Sequence, residues 1–280
     1  MLFKEMKKIK SFLYNFSSLL TLLFANRFFY KFNKIILFQS LRHLGFLNDN
    51  YNNYEISGIF NNLKKFKNEI KHVIDIGGHH GDWSYKLLLF FNIKKLYIIE
   101  PNKISFQVLE KKFKNEKYNK LINIYNLFLD KEEKNITLYD TFNEGSTLST
   151  RYKEVLEIKK IKNLKTSTIK STSLDNLIKN EKISKIDLIK IDCEGNELNI
   201  LSGSLFTLKN IEPKFILFEN NYHSLLTGNS ILKFKNILPN YKLYRLLPNA
   251  MIEIKSGIEI DSSINVLANY LAISDKFMHN

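Results

Sequence analysis

Residues 73–81 read Val-Ile-Asp-Ile-Gly-Gly-His-His-Gly, and residues 96–101 read Leu-Tyr-Ile-Ile-Glu-Pro. An apolar strand runs into a glycine turn, a helical segment follows, and a second apolar strand ends on the carboxylate of Glu100. This order is typical of an α/β protein that builds a nucleoside pocket at the carboxyl edge of a parallel sheet. Glycines let the backbone approach the ligand, and Glu100 can accept hydrogen bonds from both ribose hydroxyls.

The spacing of the glycines separates the nucleoside cofactors. A dinucleotide fingerprint requires Gly-x-Gly-x-x-Gly, and Gly77, Gly78 and Gly81 fit no register of it. Asp75 instead puts a carboxylate at the end of the first strand, which would repel a pyrophosphate but suits a cationic ligand. S-adenosylmethionine carries a sulfonium and an ammonium group, so the charge pattern favours it over NAD. An ordinary tight turn without a ligand is the alternative.

Composition places the chain among ordinary globular proteins. Its 280 residues, 44% hydrophobic and 25% charged, suffice for one well-buried domain with an extension. The net charge of +14 suggests a nucleic-acid or membrane partner. However, the lysines are scattered and no RNA- or DNA-binding signature is present, so nucleic acid is not expected as a partner. The single cysteine, Cys193, excludes an intrachain disulfide and a cysteine-cluster metal site, and no metal site is predicted.

The N-terminal region combines basic and apolar residues. Four lysines within the first ten residues precede a mostly apolar stretch over residues 12–25. That stretch is too short to span a bilayer and ends in a poor signal-peptide cleavage site. Residues 1–55 are interpreted as a basic amphipathic helical extension, which either packs on the following domain or lies on an anionic membrane surface. The predicted location is the cytoplasm, with contact through residues 1–40 to the inner face of the membrane as one option.

Residues 56–280 alternate strand and helix patterns. Near-continuous apolar strands such as residues 186–191 indicate burial on both faces, hence a parallel core sheet covered by helices. A polar loop over residues 143–149 is either a lid that contacts substrate or a plain surface loop. Strands are predicted over residues 73–76, 96–99, 122–127, 136–139, 167–170, 186–191, 215–218, 241–246 and 269–274. Helices are predicted over residues 57–69, 82–91, 102–115, 173–180, 195–209 and 229–237.

A second motif brings three acidic residues together at the end of a buried strand. Residues 188–197 read Leu-Ile-Lys-Ile-Asp-Cys-Glu-Gly-Asn-Glu, which includes Asp192, Glu194 and Glu197. With this motif in place, the chain resembles the FkbM family of S-adenosylmethionine-dependent methyltransferases. The other matching segments are residues 75–81, 99–102 (Ile-Glu-Pro-Asn), 172–177 (Thr-Ser-Leu-Asp-Asn-Leu), 201–203 (Leu-Ser-Gly) and 215–219 (Phe-Ile-Leu-Phe-Glu).

The resemblance implies a Rossmann-like class I methyltransferase fold, with a mostly parallel seven-stranded sheet and helices on both faces. It also implies that residues at the glycine turn line the methionine end of the cofactor, that Glu100 binds the ribose, and that Asp192 closes the pocket. Residues 127–130 should flank the adenine, with Leu127 covering its face. The cofactor-binding residues expected on this basis are Asp75, Gly77, Gly78, Gly81, Glu100, Pro101, Leu127, Asp130 and Asp192.

The family further implies O-methylation, frequently of sugars in bacterial surface glycans or natural products. A hydroxyl must lose its proton as it attacks a methyl group, so a general base is desirable. The candidates are Glu194, Glu219 and His223, for which helix capping, a main-chain contact or a surface position are the plainer interpretations. The leading hypothesis is methylation of a sugar hydroxyl in a bacterial surface glycan or related metabolite. The alternatives are N- or O-methylation of a small molecule or peptide, and a non-catalytic scaffold that keeps the fold.

Overall fold

The computed structural model describes residues 15–47, 57–115, 118, 120–141, 149–161, 164–257, 264 and 266–278. The chain divides into two compact units, Met1–Phe46 and Leu47–Asn280. The boundary predicted at residue 55 falls among residues 48–56, outside the described residues, and stays a prediction.

The described residues of the first unit form two helices joined by a short turn. Residues 15–24 form α1 and Tyr30–His43 form α2, so the helical character predicted for this region is confirmed. The Asn26 side chain stabilises the turn, because its amide donates to the Leu23 carbonyl and its oxygen accepts from the backbone N–H of Phe28. No helix among the described residues is long and apolar enough to cross a membrane.

The second unit alternates strands and helices, as the sequence predicts. Its described strands are β1 (His72–Ile76), β2 (Lys95–Ile99), β3 (Ile122–Tyr125), β4 (Phe128–Leu129), β5 (Asn135–Thr141), β6 (Leu164–Thr172), β7 (Leu188–Ile191), β8 (Phe215–Asn220), β9 (Tyr241–Leu246), β10 (Met251–Glu253) and β11 (Ala268–Ser274). Its helices are α3 (Ile59–Leu63), α4 (Asp82–Phe90), α5 (Lys103–Lys112), α6 (Lys153–Ile158), α7 (Leu174–Asn180), α8 (Glu197–Ser202), α9 (Ser224–Thr227), α10 (Ile231–Ile237) and α11 (Asp275–Met278). A 3₁₀ turn (Lys64–Phe66) extends α3, and a π turn covers Thr207–Ile211.

A mixed eight-stranded sheet forms the centre of this unit. Its order is β10-β9-β11-β8-β7-β1-β2-β3, and the five strands from β8 to β3 are parallel. Strand β11 is antiparallel to both β8 and β9, and β10 is antiparallel to β9. The predicted class I methyltransferase architecture is therefore confirmed, with the short edge strand β10 as an addition to the seven strands expected. A second sheet, in the order β4-β6-β5, adjoins residues 127–130.

Two predicted elements end earlier than expected. In each case a polar side chain forms hydrogen bonds with backbone groups near the point where the element ends. The strand expected over residues 122–127 ends at Tyr125, and the Asn126 amide donates to the carbonyls of Glu100 and Pro101. The helix expected over residues 195–209 begins at Glu197 and ends at Ser202. The Asp175 carboxylate then accepts hydrogen bonds from the backbone N–H of Phe206 and of Thr207, which starts a new turn.

The core is built on the central strands. Leu188, Ile189 and Ile191 of β7 are fully buried, in agreement with the prediction that this strand is covered on both faces. The aromatic side chain of Trp83, near the start of α4, joins the same core and packs against Phe60. These strands are rigid supports for the loops that follow their carboxyl ends, and the pocket described below lies there.

Candidate active site

A pocket opens at the carboxyl ends of β1, β2 and β7, where the sequence predicts it. Its empty space, including the open mouth, is about 770 Å³. Ile76 ends β1 and Ile99 ends β2, Phe128 and Leu129 form β4, and the other lining residues lie in loops. The lining consists of Ile76, Gly77, His79, Ile99, Glu100, Pro101, Leu127, Phe128, Leu129, Ser149, Thr150, Asp192, Cys193, Glu194 and Asn196.

The glycine turn after β1 is bound to β2 and pressed against the end of β7. The backbone N–H groups of Gly77 and Gly78 both donate to the Ile99 carbonyl, at 3.0 Å. Gly77 has a φ of 79°, and a Cβ at this position would overlap the Asp192 carbonyl. Only glycine fits there, and its lack of a side chain lets the turn after β1 lie close to Asp192 at the end of β7.

Glu100 holds the rim of the pocket through its carboxylate. One oxygen accepts from the backbone N–H of His79 at 2.7 Å, and the other accepts from that of Asn102 at 2.8 Å. Burial raises the pKa of Glu100 to about 7, although these two N–H groups favour the charged form. Because a carboxylate oxygen has two acceptor positions, each oxygen retains one for a ligand hydroxyl.

Asp75 lies beneath the pocket and is fully buried. Its oxygens contact the Ser84 hydroxyl at 2.6 Å and the Lys190 ammonium at 3.1 Å. Lys190 also donates to the Gly77 carbonyl at 2.9 Å and lies 3.5 Å from the Asp192 carboxylate. Burial opposes the charge of Lys190, but the carboxylates of Asp75 and Asp192 outweigh burial and raise its pKa. Burial raises the pKa of Asp75, and Lys190 counters that rise.

The turn after β7 is closed by Glu197. One oxygen of this carboxylate accepts from the backbone N–H groups of Cys193 and Gly195, at 2.9 and 3.1 Å. Burial raises the pKa of Glu197 to about 7, and it raises the pKa of the Cys193 thiol well above its usual value. Glu197 therefore supports the turn, while Asp192, with its side chain 33% exposed, lines the pocket.

Apolar residues line the pocket on the side of β4. Leu127, Phe128 and Leu129 contribute to this wall, whereas the carboxylate of Asp130 turns into the protein. It pairs there with the Arg151 guanidinium at 2.5 Å and with Lys134 at 3.3 Å. The wall next to the rim is completed by Ser149, whose hydroxyl accepts from the Asn102 amide at 2.8 Å.

The three candidates for the general base form one connected group. Glu194 is a lining residue of the pocket, and its carboxylate Oε2 lies 3.1 Å from Nδ1 of the buried His223. Burial lowers the pKa of His223 to about 4, with a further contribution from the charge of Lys159, so the imidazole is neutral at pH 7. The Asn221 side chain accepts from the His223 backbone N–H and donates to Glu219, at 2.8 and 2.6 Å.

Glu194 adopts an unusual backbone conformation. Its φ is 50°, in the left-handed region that residues with a side chain seldom occupy. The Thr150 hydroxyl donates to its carbonyl at 3.2 Å, and the Asn229 amide donates to the carbonyl of Gly195 at 3.1 Å. Strain of this kind persists where surrounding contacts hold it and is common at functional sites.

The predicted site residues divide into two groups. Gly77, Glu100, Pro101, Leu127, Asp192 and Glu194 line the pocket. The lining does not include Asp75, Gly78, Gly81, Asp130, Glu219 and His223. Sequence reasoning missed Ser149, Thr150 and Asn196 as pocket residues. For Ser149 a signal existed, because it ends the polar loop over residues 143–149, of which residues 143–148 lie outside the described residues.

The fold and this pocket define a Rossmann-like, class I S-adenosylmethionine-dependent methyltransferase. The model of the methyltransferase FkbM domain matches residues 75–241, well over half of the chain. The chain belongs to the FkbM methyltransferase family, and the resemblance read from its motifs is confirmed.

Solved structures with related folds include several methyltransferases. A methyltransferase FkbM from Methylobacillus flagellatus KT shares 14% identity and a TM-score of 0.45, over 86% of this chain and 59% of that one. The methyltransferase domain of bacterial CtHen1 shares 12% identity and a TM-score of 0.43, over 80% of this chain and 100% of that one. TrmK from M. capricolum, in complex with S-adenosylhomocysteine, shares 14% identity and a TM-score of 0.40, over 78% and 67%. No curated protein matches the sequence.

S-adenosylmethionine is the cofactor of this family, and the pocket suits it. The spare acceptor positions of Glu100 fit a diol, the wall at Leu127 and Phe128 fits a flat apolar ring, and Asp192 presents a carboxylate to a cation. In the described part of the chain, no group of three or more His, Cys, Asp or Glu side chains is arranged to hold a metal ion.

Proposed function

We propose that this protein transfers a methyl group from S-adenosylmethionine to a hydroxyl of a sugar, in a bacterial surface glycan or a related metabolite. The observation that carries this proposal is Glu194, a pocket residue whose carboxylate lies against a buried neutral histidine. A hydroxyl acceptor needs such a base, whereas an amine that is already unprotonated does not.

Within the pocket, Glu100 would bind the two ribose hydroxyls of the cofactor, Leu127 would cover the adenine, and Asp192 would face the cationic end. When bound, S-adenosylmethionine would supply an electrophilic methyl group on a sulfonium, and the sulfur would keep the electron pair of the carbon–sulfur bond as the acceptor oxygen takes the methyl group. Positioning of the two reactants in line supplies most of the rate enhancement.

Glu194 accepts the proton that the acceptor hydroxyl loses during this attack. His223 is a positioning residue: its buried ring lies against the Glu194 carboxylate, with Nδ1 3.1 Å from Oε2, and so limits the directions that this carboxylate can take. Asn221 and Glu219 hold His223 in turn. The left-handed backbone of Glu194 aims this carboxylate at the pocket, at a cost that the contacts of Thr150 and Asn229 offset.

The role of Glu100 is tested by calorimetric titration with S-adenosylmethionine and, separately, with NAD. Glu100→Ala removes the ribose contacts, so its affinity for S-adenosylmethionine should fall by about tenfold or more, while NAD binds neither protein. Glu110→Ala is the matched control, because Glu110 is an exposed acid on α5. Equal affinities of wild type and Glu100→Ala would remove Glu100 from the ribose site.

The acceptor is tested with a panel of sugar nucleotides, oligosaccharides, amines and peptides, with a labelled methyl group as the readout. Glu194→Gln should lower kcat for a sugar hydroxyl by about 10²–10⁴-fold and leave the affinity for S-adenosylmethionine unchanged. Glu132→Gln, at an exposed acid near the pocket wall, is the control. Methylation of amines that survives Glu194→Gln, without any methylated sugar, would overturn the proposal.

A further inference from the structure

Large apolar side chains are exposed along almost the whole described part of the first unit, residues 15–46. Leu22 and Phe28 are 82% and 87% exposed. Fourteen of the exposed large apolar side chains lie between residues 16 and 44, against nine in the rest of the described chain. Soluble surfaces seldom carry apolar side chains at this density without a partner that covers them.

The charged side chains of the described part of this unit have one sign. Among residues 15–46 the charged side chains are Arg27, Lys31, Lys34 and Arg42, and no Asp or Glu occurs. Two of these cations lie over aromatic rings of α2: the Lys34 ammonium is 5.7 Å from the Tyr30 ring, and the Arg42 guanidinium is 5.9 Å from the Phe38 ring. Apolar stems with cationic ends beside aromatic rings suit the boundary between lipid chains and headgroups.

We propose that the first unit binds the surface of an anionic lipid bilayer, with α1 and α2 lying in the interface. The exposed apolar side chains enter the outer part of the lipid, and the four cations meet anionic headgroups. A second copy of the unit would bring cations mainly against cations, because residues 1–46 hold eight Lys and Arg side chains and a single acid, Glu5. Nucleic acid would match the charge but leave the apolar side chains in water.

This binding mode does not span the bilayer, since no described helix is long and apolar enough to do so. It is also independent of the reaction proposed above, because no pocket residue lies in the first unit. Membrane binding can therefore be measured on the protein without an acceptor and without S-adenosylmethionine.

The test is flotation of the full chain with two kinds of vesicle, pure phosphatidylcholine and phosphatidylcholine with about 30% phosphatidylglycerol. We expect strong binding to the anionic vesicles only, weakened by high salt because screening reduces the attraction. Leu22→Asp/Phe28→Asp should lower the partition coefficient by about tenfold or more. The matched control is Leu89→Asp/Ile158→Asp, whose parent side chains are 64% and 57% exposed on the second unit.

A charge-reversed variant, Lys31→Glu/Lys34→Glu, should lose the preference for anionic vesicles. All these positions are exposed, so each variant should keep the circular dichroism spectrum of the wild type. The proposal is overturned if folded wild type does not float with anionic vesicles, or if it floats equally with both kinds. It also fails if both aspartate pairs weaken binding equally, or if the first unit instead forms a dimer that Leu22→Asp/Phe28→Asp dissociates while vesicles stay unbound.

Discussion

Two independent features require glycine at residue 77: its backbone conformation and the closeness of Asp192. Its φ of 79° favours glycine, and the Asp192 carbonyl occupies the space of a Cβ. Gly228 shares the first requirement, with a φ of 69°, but only the end of the Lys233 side chain lies near, at 3.6 Å from a Cβ. A comparison of alanine substitutions at Gly77 and Gly228 therefore distinguishes the cost of backbone strain from the cost of a steric clash with Asp192.

Gly77→Ala should lower the free energy of unfolding by more than Gly228→Ala, for which strain alone predicts about 1–2 kcal/mol. The added cost arises because an Ala methyl at residue 77 must push β1 and β7 apart. Urea denaturation of both variants measures the difference, and calorimetry should show loss of S-adenosylmethionine binding for Gly77→Ala only. Equal destabilisation would mean that the turn can move away from Asp192 without cost.

Lys190 forms an ion pair with Asp75, so the role of this carboxylate differs from the one expected from the sequence. The sequence argument used Asp75 as a charge that faces a cationic ligand, and the cofactor it inferred is confirmed. The structure, however, places Asp75 below the pocket, with its charge balanced by Lys190. Sequence reasoning missed this pair because the two residues lie on different strands, and pairing in the register Asp75↔Lys190 is a property of the sheet.

Removal of Lys190 should be costly because it leaves a buried carboxylate unpaired. We expect Lys190→Met to lower the free energy of unfolding by about 3–5 kcal/mol. The double variant Asp75→Asn/Lys190→Met should recover part of this loss, since the buried charge is gone from both sides. Urea denaturation of the two single variants and the double variant gives the coupling. Additive effects would show that Asp75 and Lys190 do not depend on each other.

At the scale of elements, the turn between β7 and α8 depends on a buried acid. Burial raises the pKa of Glu197 to about 7. Between pH ~4.5 and ~7 the folded chain thus holds a proton that the unfolded chain has released. This contribution to stability is complete at low pH and is lost as the pH rises through that window.

In the wild type, Glu197 makes the free energy of unfolding fall between pH 5 and 7. Glu197→Gln should reduce the slope of this fall by at most about 1.4 kcal/mol per pH unit. Gln can still accept from the backbone N–H groups of Cys193 and Gly195, so the turn should keep its shape. Glu100 and His223 also titrate with shifted pKa values, but they are present in both proteins and cancel in the comparison. Identical pH profiles would show that Glu197 is ionised throughout.

Elements with a strong apolar pattern were predictable, and those fixed by distant side chains were not. Strands β1, β2 and β7 lie within a residue or two of their predicted ranges, because burial on both faces leaves a continuous apolar run. The end of β3 is associated with Asn126, and the break after α8 with Asp175. Both depend on partners that the fold brings near, which a local pattern does not contain.

At the scale of the whole molecule, the residues that line the pocket could be predicted from local sequence patterns, whereas the contacts behind Glu194 could not. Glycine spacing and strand-end acids identified Gly77, Glu100 and Asp192 as pocket residues, since the carboxyl ends of parallel strands must meet at one edge. The link from Glu219 through Asn221 and His223 to Glu194 joins residues after β8 to the turn after β7. Only the assembled sheet shows that one of these acids faces the pocket and the other does not.

The division into two units implies that membrane binding and cofactor binding can be separated. Removal of residues 1–44 leaves the central sheet and all pocket residues in place. We expect this variant to bind S-adenosylmethionine within about twofold of the wild type, because distant independent sites contribute additively. It should also lose flotation with anionic vesicles. Calorimetry and flotation on the same preparation check both, with circular dichroism to establish folding. A folded variant that no longer binds S-adenosylmethionine would show that the first unit helps to form the pocket, and a variant that still floats would place the lipid contact on the second unit.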